Sequence, residues 1–164
     1  MNHIIRPTTR EDEPFLWEML YQALYLPEGH PPFPREIVQA PEIGRYVQRW
    51  GLPDDAGAIA VDDDGAPIGA VWIRLLTAEN RGYGFVDDQT PELSIAILPA
   101  FRGMGIGERL MRRLFEMVKD RHAAISLSVS VDNPAARLYR RLGFDTVRVE
   151  GASLTMRKNL LEDQ

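Results

Sequence analysis

Residues 95–118 read IAILPAFRGMGIGERLMRRLFEMV, and this stretch decides the fold of the 164-residue chain. An apolar run ends at Pro99, three alternating glycines follow within Arg102–Gly107, and a long amphipathic stretch begins at Ile106. In that stretch apolar side chains recur every three or four residues, with arginine and glutamate between them. This order predicts a strand, a glycine loop and a helix with one buried face.

A glycine loop between a strand and a helix is suited to bind an anion. Glycine lets the backbone turn tightly and approach a ligand without a Cβ in the way. The helix N-terminus adds unpaired N–H groups and the positive end of its dipole. Neither common phosphate-binding glycine template matches. A dinucleotide-binding loop would need glycine at Glu108 or Leu110, and no lysine follows as in a P-loop. The segment therefore indicates a different pyrophosphate site.

Strand and helix patterns alternate along the remaining chain. The predicted elements are a strand over His3–Arg6, a helix from Phe15 to Leu24, a helix over Arg35–Trp50 that Pro41 breaks or shortens, a hairpin of Ala58–Val61 and Ile68–Ile73, a strand over Leu93–Leu98, the helix from Ile106, a strand over Ile125–Val131, a short helix after Asn133, and a hairpin of Phe144–Val149 and Ala152–Met156. Residues Thr77–Gln89 have no period and are expected to form a loop or an insertion. The order predicts a mixed α/β fold in one domain over residues 1–164.

The composition narrows the class of protein. Hydrophobic residues make up 45% and charged residues 26%, as in soluble globular domains. A net charge of −5 argues against a dedicated nucleic-acid binder. The absence of cysteine removes disulfides, thiolate metal ligands and a covalent cysteine intermediate. With no apolar leader and no apolar run near 20 residues, we expect a cytoplasmic protein without membrane contact.

A second block, Asn133–Phe144, reads NPAARLYRRLGF. Together with the Arg-x-x-Gly-x-Gly pattern of Arg102–Gly107, it resembles the two signature blocks of the GCN5-related N-acetyltransferase (GNAT) family. The resemblance is close over Glu92–Phe144 and loose elsewhere. It implies a mostly antiparallel mixed sheet of six to seven strands, splayed between the fourth and fifth, with about four helices.

The resemblance also implies how acetyl-CoA binds. Backbone amides of the glycine loop bind the pyrophosphate, and the residues concerned are Arg102, Gly103, Met104, Gly105, Ile106 and Gly107. Strand-four backbone at Ile97 and Leu98 pairs with the pantetheine arm, and an amide near Leu98 polarises the thioester carbonyl. A preorganised donor of this kind is worth about 3 kcal/mol. Asn133 caps its helix and also faces the pantetheine.

Two side chains are candidates for proton transfer. By its place in the second block, Tyr139 donates a proton to the departing thiolate; the alternative is a packed aromatic. A primary ammonium has a pKa of roughly 10 and must lose a proton before it attacks. Glu92 is a candidate acceptor, with His30 or water as alternatives and a surface or salt-bridged glutamate as the structural explanation. Asp87 and Asp88 are further candidates, for attracting a cationic amine.

These observations predict an N-acetyltransferase in which a primary amine of a small molecule, peptide or protein attacks acetyl-CoA directly. The alternative is a non-catalytic acyl-CoA-binding sensor or scaffold, and a different nucleotide-binding protein is a third possibility. The three histidines have no metal-ligand spacing, so no metal is expected. No motif identifies the acceptor. A homodimer is the default assembly, because dimers are the commonest oligomers.

Overall fold

Seven strands and four α-helices make up the regular structure of residues 3–163, which the computed structural model describes. The strands are β1 Ile4–Pro7, β2 Ala56–Val61, β3 Pro67–Arg74, β4 Glu92–Ile97, β5 Ala124–Ser130, β6 Asp145–Glu150 and β7 Ser153–Asn159. The helices are α1 Glu13–Ala23, α2 Pro41–Gly44, α3 Ile106–Val118 and α4 Ala135–Arg141. The strands form one sheet in the order β1-β2-β3-β4-β5-β7-β6, antiparallel except for the parallel pair β4 and β5. This confirms the predicted fold class.

The sheet is covered on both faces, because its central strands are apolar on both. Along β3, Val71 and Ile73 pack on the α3 side while Ala70 and Trp72 pack on the α1 side, as the period of two requires. Six α3 side chains are buried: Ile106, Leu110, Met111, Leu114, Phe115 and Val118. Fully burying one such side chain contributes about 2 kcal/mol to folding. Helices α1 and α3 therefore pack on opposite faces of the sheet and fix the positions of the strand ends near them.

Strands β4 and β5 form a fork. Their only register pair in the described chain is Glu92 with Ser126, where the Ser126 amide donates to the Pro91 carbonyl at 3.0 Å. Beyond this pair the strands diverge, so the edge of β4 that faces β5 has no strand partner. The predicted splay between the fourth and fifth strands is confirmed.

Most predicted elements lie within a few residues of their expected bounds. The helix expected over Arg35–Trp50 is broken at Pro41, leaving a 3-10 turn at Arg35–Gln39 and the short α2. A residue before proline is forced out of the helical region, which explains the break. β7 extends past its predicted end at Met156, because β5 pairs with it as far as Asn159. Lys158, in this extension, is buried and donates to the Leu142 carbonyl at 2.8 Å. A lysine at a buried position interrupts the alternation of apolar and polar residues, so the sequence does not indicate the last residues of this strand.

In residues 3–163 no helix is long and apolar enough to cross a membrane.

Candidate active site

The glycine loop presents its backbone to open space. Gly103 and Gly105 have φ angles of 78° and 79°, the left-handed region that glycine adopts without strain. A Cβ built on either would meet no atom within 4 Å. Gly105 precedes α3, and no side chain caps that helix. The amides of its first turn have no partner within the helix, so they are available to an anion.

Arg102 holds this loop against the end of β4. Its Nε donates to the Ile97 carbonyl at 3.0 Å, and its Nη2 donates to Oε1 of Gln22 on α1 at 3.3 Å. The side chain is exposed and lines a cavity of about 630 Å³ that runs along the fork. A positive charge therefore lies where the loop meets the open strand edge.

The backbone of β4 changes one sequence prediction. The Leu98 amide, expected near the thioester carbonyl, donates to the Ile68 carbonyl of β3 at 2.8 Å and is not available to a ligand. Amides alternate in direction along a strand, so those of Ile95 and Ile97 point away from β3 and into the fork. Both residues line the 630 Å³ cavity. The free donors of this edge are therefore at Ile95 and Ile97.

Two neighbouring cavities occupy the fork. The larger reaches from Arg102 and Gly107 towards Asn133 and Tyr139. The smaller, of about 170 Å³, lies next to it and contains Glu92. The residues that line both are Ala23, Leu24, Ile95, Asn133 and Tyr139. The cavities thus meet at Tyr139, the predicted proton donor.

Asn133 and Tyr139 are placed by α4. The Asn133 Oδ1 accepts the Ala135 amide at 3.0 Å, so this residue caps the helix. The Tyr139 ring packs edge-on against Phe144, with centroids 6.1 Å apart. Burial raises the pKa of Tyr139 to about 12, so its hydroxyl stays protonated throughout the neutral range. Tyr139 is both a packed aromatic and a protonated group facing the cavities.

Glu92 is a buried carboxylate, with 2% of its surface exposed. Oε1 accepts the Tyr46 hydroxyl and the Gly84 amide, and Oε2 accepts the Gly82 amide, each at 2.9 Å. Burial raises the pKa of Glu92, while these three hydrogen bonds act in the opposite direction. Oε2 has one acceptor position more than these contacts use. Because Glu92 is buried, the structure excludes the alternative that it is only a surface residue.

No local sequence motif indicates Tyr46 as a residue of the site. Its carbonyl accepts the Trp72 indole N–H at 3.0 Å. The adjacent Arg45 carbonyl accepts Arg74, which also forms a buried ion pair with Asp55 at 2.7 Å. Burial and the nearby Glu92 charge raise the pKa of Tyr46, so it is a neutral donor. Its place depends on buried partners that are remote in sequence.

The loop after α1 passes over the larger cavity. The Tyr21 hydroxyl donates to the Phe33 carbonyl at 2.6 Å, which ties the two ends of the proline-rich loop together. The Tyr25 hydroxyl donates to the Asp132 carbonyl at 3.2 Å, on the far side of the fork. Tyr25, Leu26, Pro32 and Phe33 line the cavity beneath. The loop therefore forms one wall of the fork.

Other predicted residues lie away from both cavities. His30 is exposed, contacts the Phe33 ring in a tilted arrangement and lines neither cavity. Asp87 and Asp88 cap turns within their own loop, accepting the amides of Gln89 and Ala78. In the described residues no three His, Cys, Asp or Glu side chains are grouped to hold a metal. Of the candidate proton acceptors among the side chains, only Glu92 reaches the fork.

The fork fits an elongated ligand with an anionic end. The amides of the glycine loop and the first turn of α3 suit a pyrophosphate, and the free edge of β4 suits an amide-containing chain. A volume of about 630 Å³ is within the usual range for such ligands. The smaller cavity beside it leaves room for a second reactant next to Glu92.

Comparisons with known proteins agree with this geometry. Residues 15–144 match the model of the acetyltransferase (GNAT) family. An uncharacterized N-acetyltransferase of Methanocaldococcus jannaschii is 27% identical over 96% of this chain and 67% of that protein. The N-alpha-acetyltransferase RimI of Mycobacterium tuberculosis is 41% identical over 40% of this chain, and the match spans less than half of that protein, 46%. The PaiA N-acetyltransferase of Thermoplasma acidophilum, solved with coenzyme A, superposes with a TM-score of 0.68 at 19% identity, covering 97% of this chain and 99% of that one.

Proposed function

The chain belongs to the acetyltransferase (GNAT) family, since that model matches most of its length, and we propose that it acetylates a primary amine by direct attack on acetyl-CoA. Family membership makes it an acetyl-CoA-dependent acyltransferase. The observation that carries the proposal is that Glu92 and Tyr139 both line the smaller cavity of the fork. The mycobacterial relative is named an N-alpha-acetyltransferase, so a peptide α-amine belongs among the acceptors to be tested.

The chain's own groups bind and orient the coenzyme. Amides of Gly103 to Gly107 and the α3 dipole hold the pyrophosphate, with Arg102 beside them. The Ile95 and Ile97 amides pair with the pantetheine arm. One of them donates to the thioester oxygen, a contact worth about 3 kcal/mol as charge develops there. The coenzyme supplies an activated acetyl group, so catalysis rests on positioning and electrostatics.

Two proton transfers complete the reaction. Glu92 takes a proton from the incoming ammonium, directly or through water, and Oε2 provides the spare acceptor position. Burial raises the Glu92 pKa and so makes it a stronger base than an exposed carboxylate. Tyr139 gives its proton to the departing thiolate. Each transfer is worth roughly 10²–10⁴ in rate.

The test is thiol release from acetyl-CoA against a panel of amines, with wild type beside Tyr139→Phe. We expect acceptor-dependent turnover whose kcat falls about 100-fold in the variant, with coenzyme affinity unchanged. An unaltered kcat would make Tyr139 a packing residue. Calorimetric binding of acetyl-CoA without turnover on any amine would instead favour a non-catalytic binding protein.

Three further expectations are part of the proposal. One sheet runs through the described chain, which supports a single acetyltransferase domain over residues 1–164. The cysteine-free composition suits the reducing cytoplasm. A homodimer is the default for a soluble oligomer, and light scattering on the purified protein tests it.

A further inference from the structure

A short segment of the Thr77–Gln89 loop, Gly82-Tyr83-Gly84, lies at the end of the fork where β4 and β5 pair. The Gly84 amide donates to Glu92 on β4 at 2.9 Å, and the Gly84 carbonyl accepts the Ser126 hydroxyl on β5 at 2.7 Å. The three residues therefore bridge the two strands where their pairing ends. We call this segment the wedge.

The wedge fits only because two of its residues are glycine. A Cβ on Gly84 would lie 2.7 Å from the Leu127 carbonyl carbon and 2.9 Å from the Ser128 nitrogen, both backbone atoms. A Cβ on Gly82 would lie 2.5 Å from Oε1 of Glu92. Neither position has room for a side chain. The backbone of the wedge is thus packed directly against both sides of the fork.

Contacts on either side hold the wedge in register. The Arg81 carbonyl accepts Arg45 at 2.5 Å, and the Phe85 carbonyl accepts Arg148 at 2.8 Å. The Tyr83 amide donates to the Tyr46 hydroxyl at 2.7 Å. With the main chain fixed at three successive residues, the direction in which the Tyr83 side chain leaves the backbone is set. Tyr83 lines the 170 Å³ cavity and the residue is 58% exposed, so it stands at the cavity mouth.

The chemistry of the smaller cavity limits what it can hold. Among the described residues that line it, Glu92 is the single carboxylate, and no lysine or arginine is present. The other lining residues are mostly aliphatic or aromatic, and their polar side-chain groups are neutral: the hydroxyls of three tyrosines and two serines, and the Asn133 amide. A volume near 170 Å³ is close to that of a cavity known to hold one benzene. A second positive charge held inside it would have no second carboxylate to pair with.

We propose that the wedge is the specificity element of the acceptor site, with the Tyr83 ring limiting it to primary amines that carry one positive charge and a compact apolar body. This inference rests on the proposed acetyl transfer. In it Tyr83 acts through shape, and Tyr46 is a positioning residue that ties the wedge to Glu92.

Three amino-acid amides test the inference, because they share one α-amine and differ only in side chain. We expect wild-type kcat/KM to be highest for alaninamide and at least about tenfold lower for tryptophanamide and lysinamide. Tyr83→Ala should raise kcat/KM for tryptophanamide about tenfold relative to alaninamide, mainly through KM. Lysinamide should stay poor, since removing the ring supplies no second carboxylate.

Tyr83→Phe is the matched control, because it keeps the ring and removes only the hydroxyl. Its selectivity should equal that of wild type. Equal tryptophanamide and alaninamide rates in wild type, or unchanged selectivity in Tyr83→Ala, would overturn the role of the wedge while leaving acetyl transfer intact. Absence of turnover with all three amides and with n-butylamine would overturn the proposed function, and the inference with it.

Discussion

Two glycine-bearing segments flank the fork, and they use glycine for opposite reasons. In the Arg102–Gly107 loop, Gly103 and Gly105 adopt positive φ angles and face open space. In the wedge, a Cβ on Gly82 or Gly84 would collide with neighbouring protein atoms. The first pair leaves room for a ligand, whereas the second pair lets protein fill the end of the cleft. The coenzyme end of the fork is therefore open, and the acceptor end is closed by the chain itself.

The largest expected effect comes from the carboxylate that the wedge surrounds. Glu92→Gln should lower kcat/KM for an alkylamine roughly 100- to 1,000-fold while acetyl-CoA affinity is unchanged, because proton removal is lost at the acceptor end only. Steady-state rates and calorimetry on the same preparation measure the two quantities.

An amine that is already neutral at pH 7, such as trifluoroethylamine, distinguishes two roles of Glu92: accepting a proton from the substrate, and holding the wedge through hydrogen bonds. If Glu92 accepts the proton, this amine should recover most of the lost rate in the variant. An equal loss on both amines would mean that Glu92 serves the wedge alone.

The next largest effect separates the two kinds of glycine. Gly84→Ala forces a Cβ against the β5 backbone, so we expect a loss of about 3 kcal/mol in the free energy of unfolding. For a chain of this size that loss lowers the melting temperature by about 6–12 °C. Thermal unfolding followed by circular dichroism measures it. A drop of less than about 2 °C would mean that the wedge moves aside readily.

A smaller effect is expected in the open loop, where Gly65 in the β2–β3 turn supplies a matched control. Gly65 also has a positive φ, 82°, with no atom within 4 Å of a built Cβ. Gly103→Ala and Gly65→Ala should therefore each cost about 1 kcal/mol of stability. Only Gly103→Ala should weaken acetyl-CoA binding, by about tenfold, because it reorients amides at the coenzyme end. Equal affinities in the two variants would remove Gly103 from the site.

The smallest effect concerns the pH dependence of stability. Burial raises the Glu92 pKa in the folded state above its ordinary value of 4.5. The carboxyl group therefore contributes most to stability below pH 4.5, and that contribution falls as the pH rises through the raised pKa. The free energy of unfolding of wild type minus that of Glu92→Gln should therefore decrease as the pH is raised above 4.5. Urea titrations measure it, with Glu79→Gln, a substitution at an exposed position, as the control. An increase would mean that the three hydrogen bonds outweigh burial.

The same contrast explains how far the sequence could predict the site. The open loop sits between a strand and a helix, and its glycines, Arg102 and the Asn133–Phe144 block are local patterns. These patterns predicted the fold, the fork and the coenzyme end. The hydrogen bond from Leu98 to Ile68 was not predictable in the same way, because it depends on which residue of β4 faces β3.

The acceptor end is assembled from residues far apart in the chain. Tyr46 reaches Glu92 over 46 positions, and Ser126 reaches Gly84 over 42. No periodicity or short motif encodes such contacts. The closely spaced glycines at 82 and 84 were the one available signal within Thr77–Gln89, and their reason, close packing, appears only once β5 is placed beside β4.

The single residue pair joining β4 to β5 divides the sheet into a four-stranded and a three-stranded half. A pantetheine arm lying along Ile95 and Ile97 would complete the ladder as a short extra strand, in the manner of β-augmentation. The cosubstrate would then act as part of the fold. Deuterium exchange at the Ile95 and Ile97 amides would be slower while the coenzyme is bound than in the free enzyme. The enzyme's stability would thus rise and fall with acetyl-CoA supply, because a ligand that binds only the folded state stabilises it by an amount that grows with the logarithm of the ligand concentration above Kd.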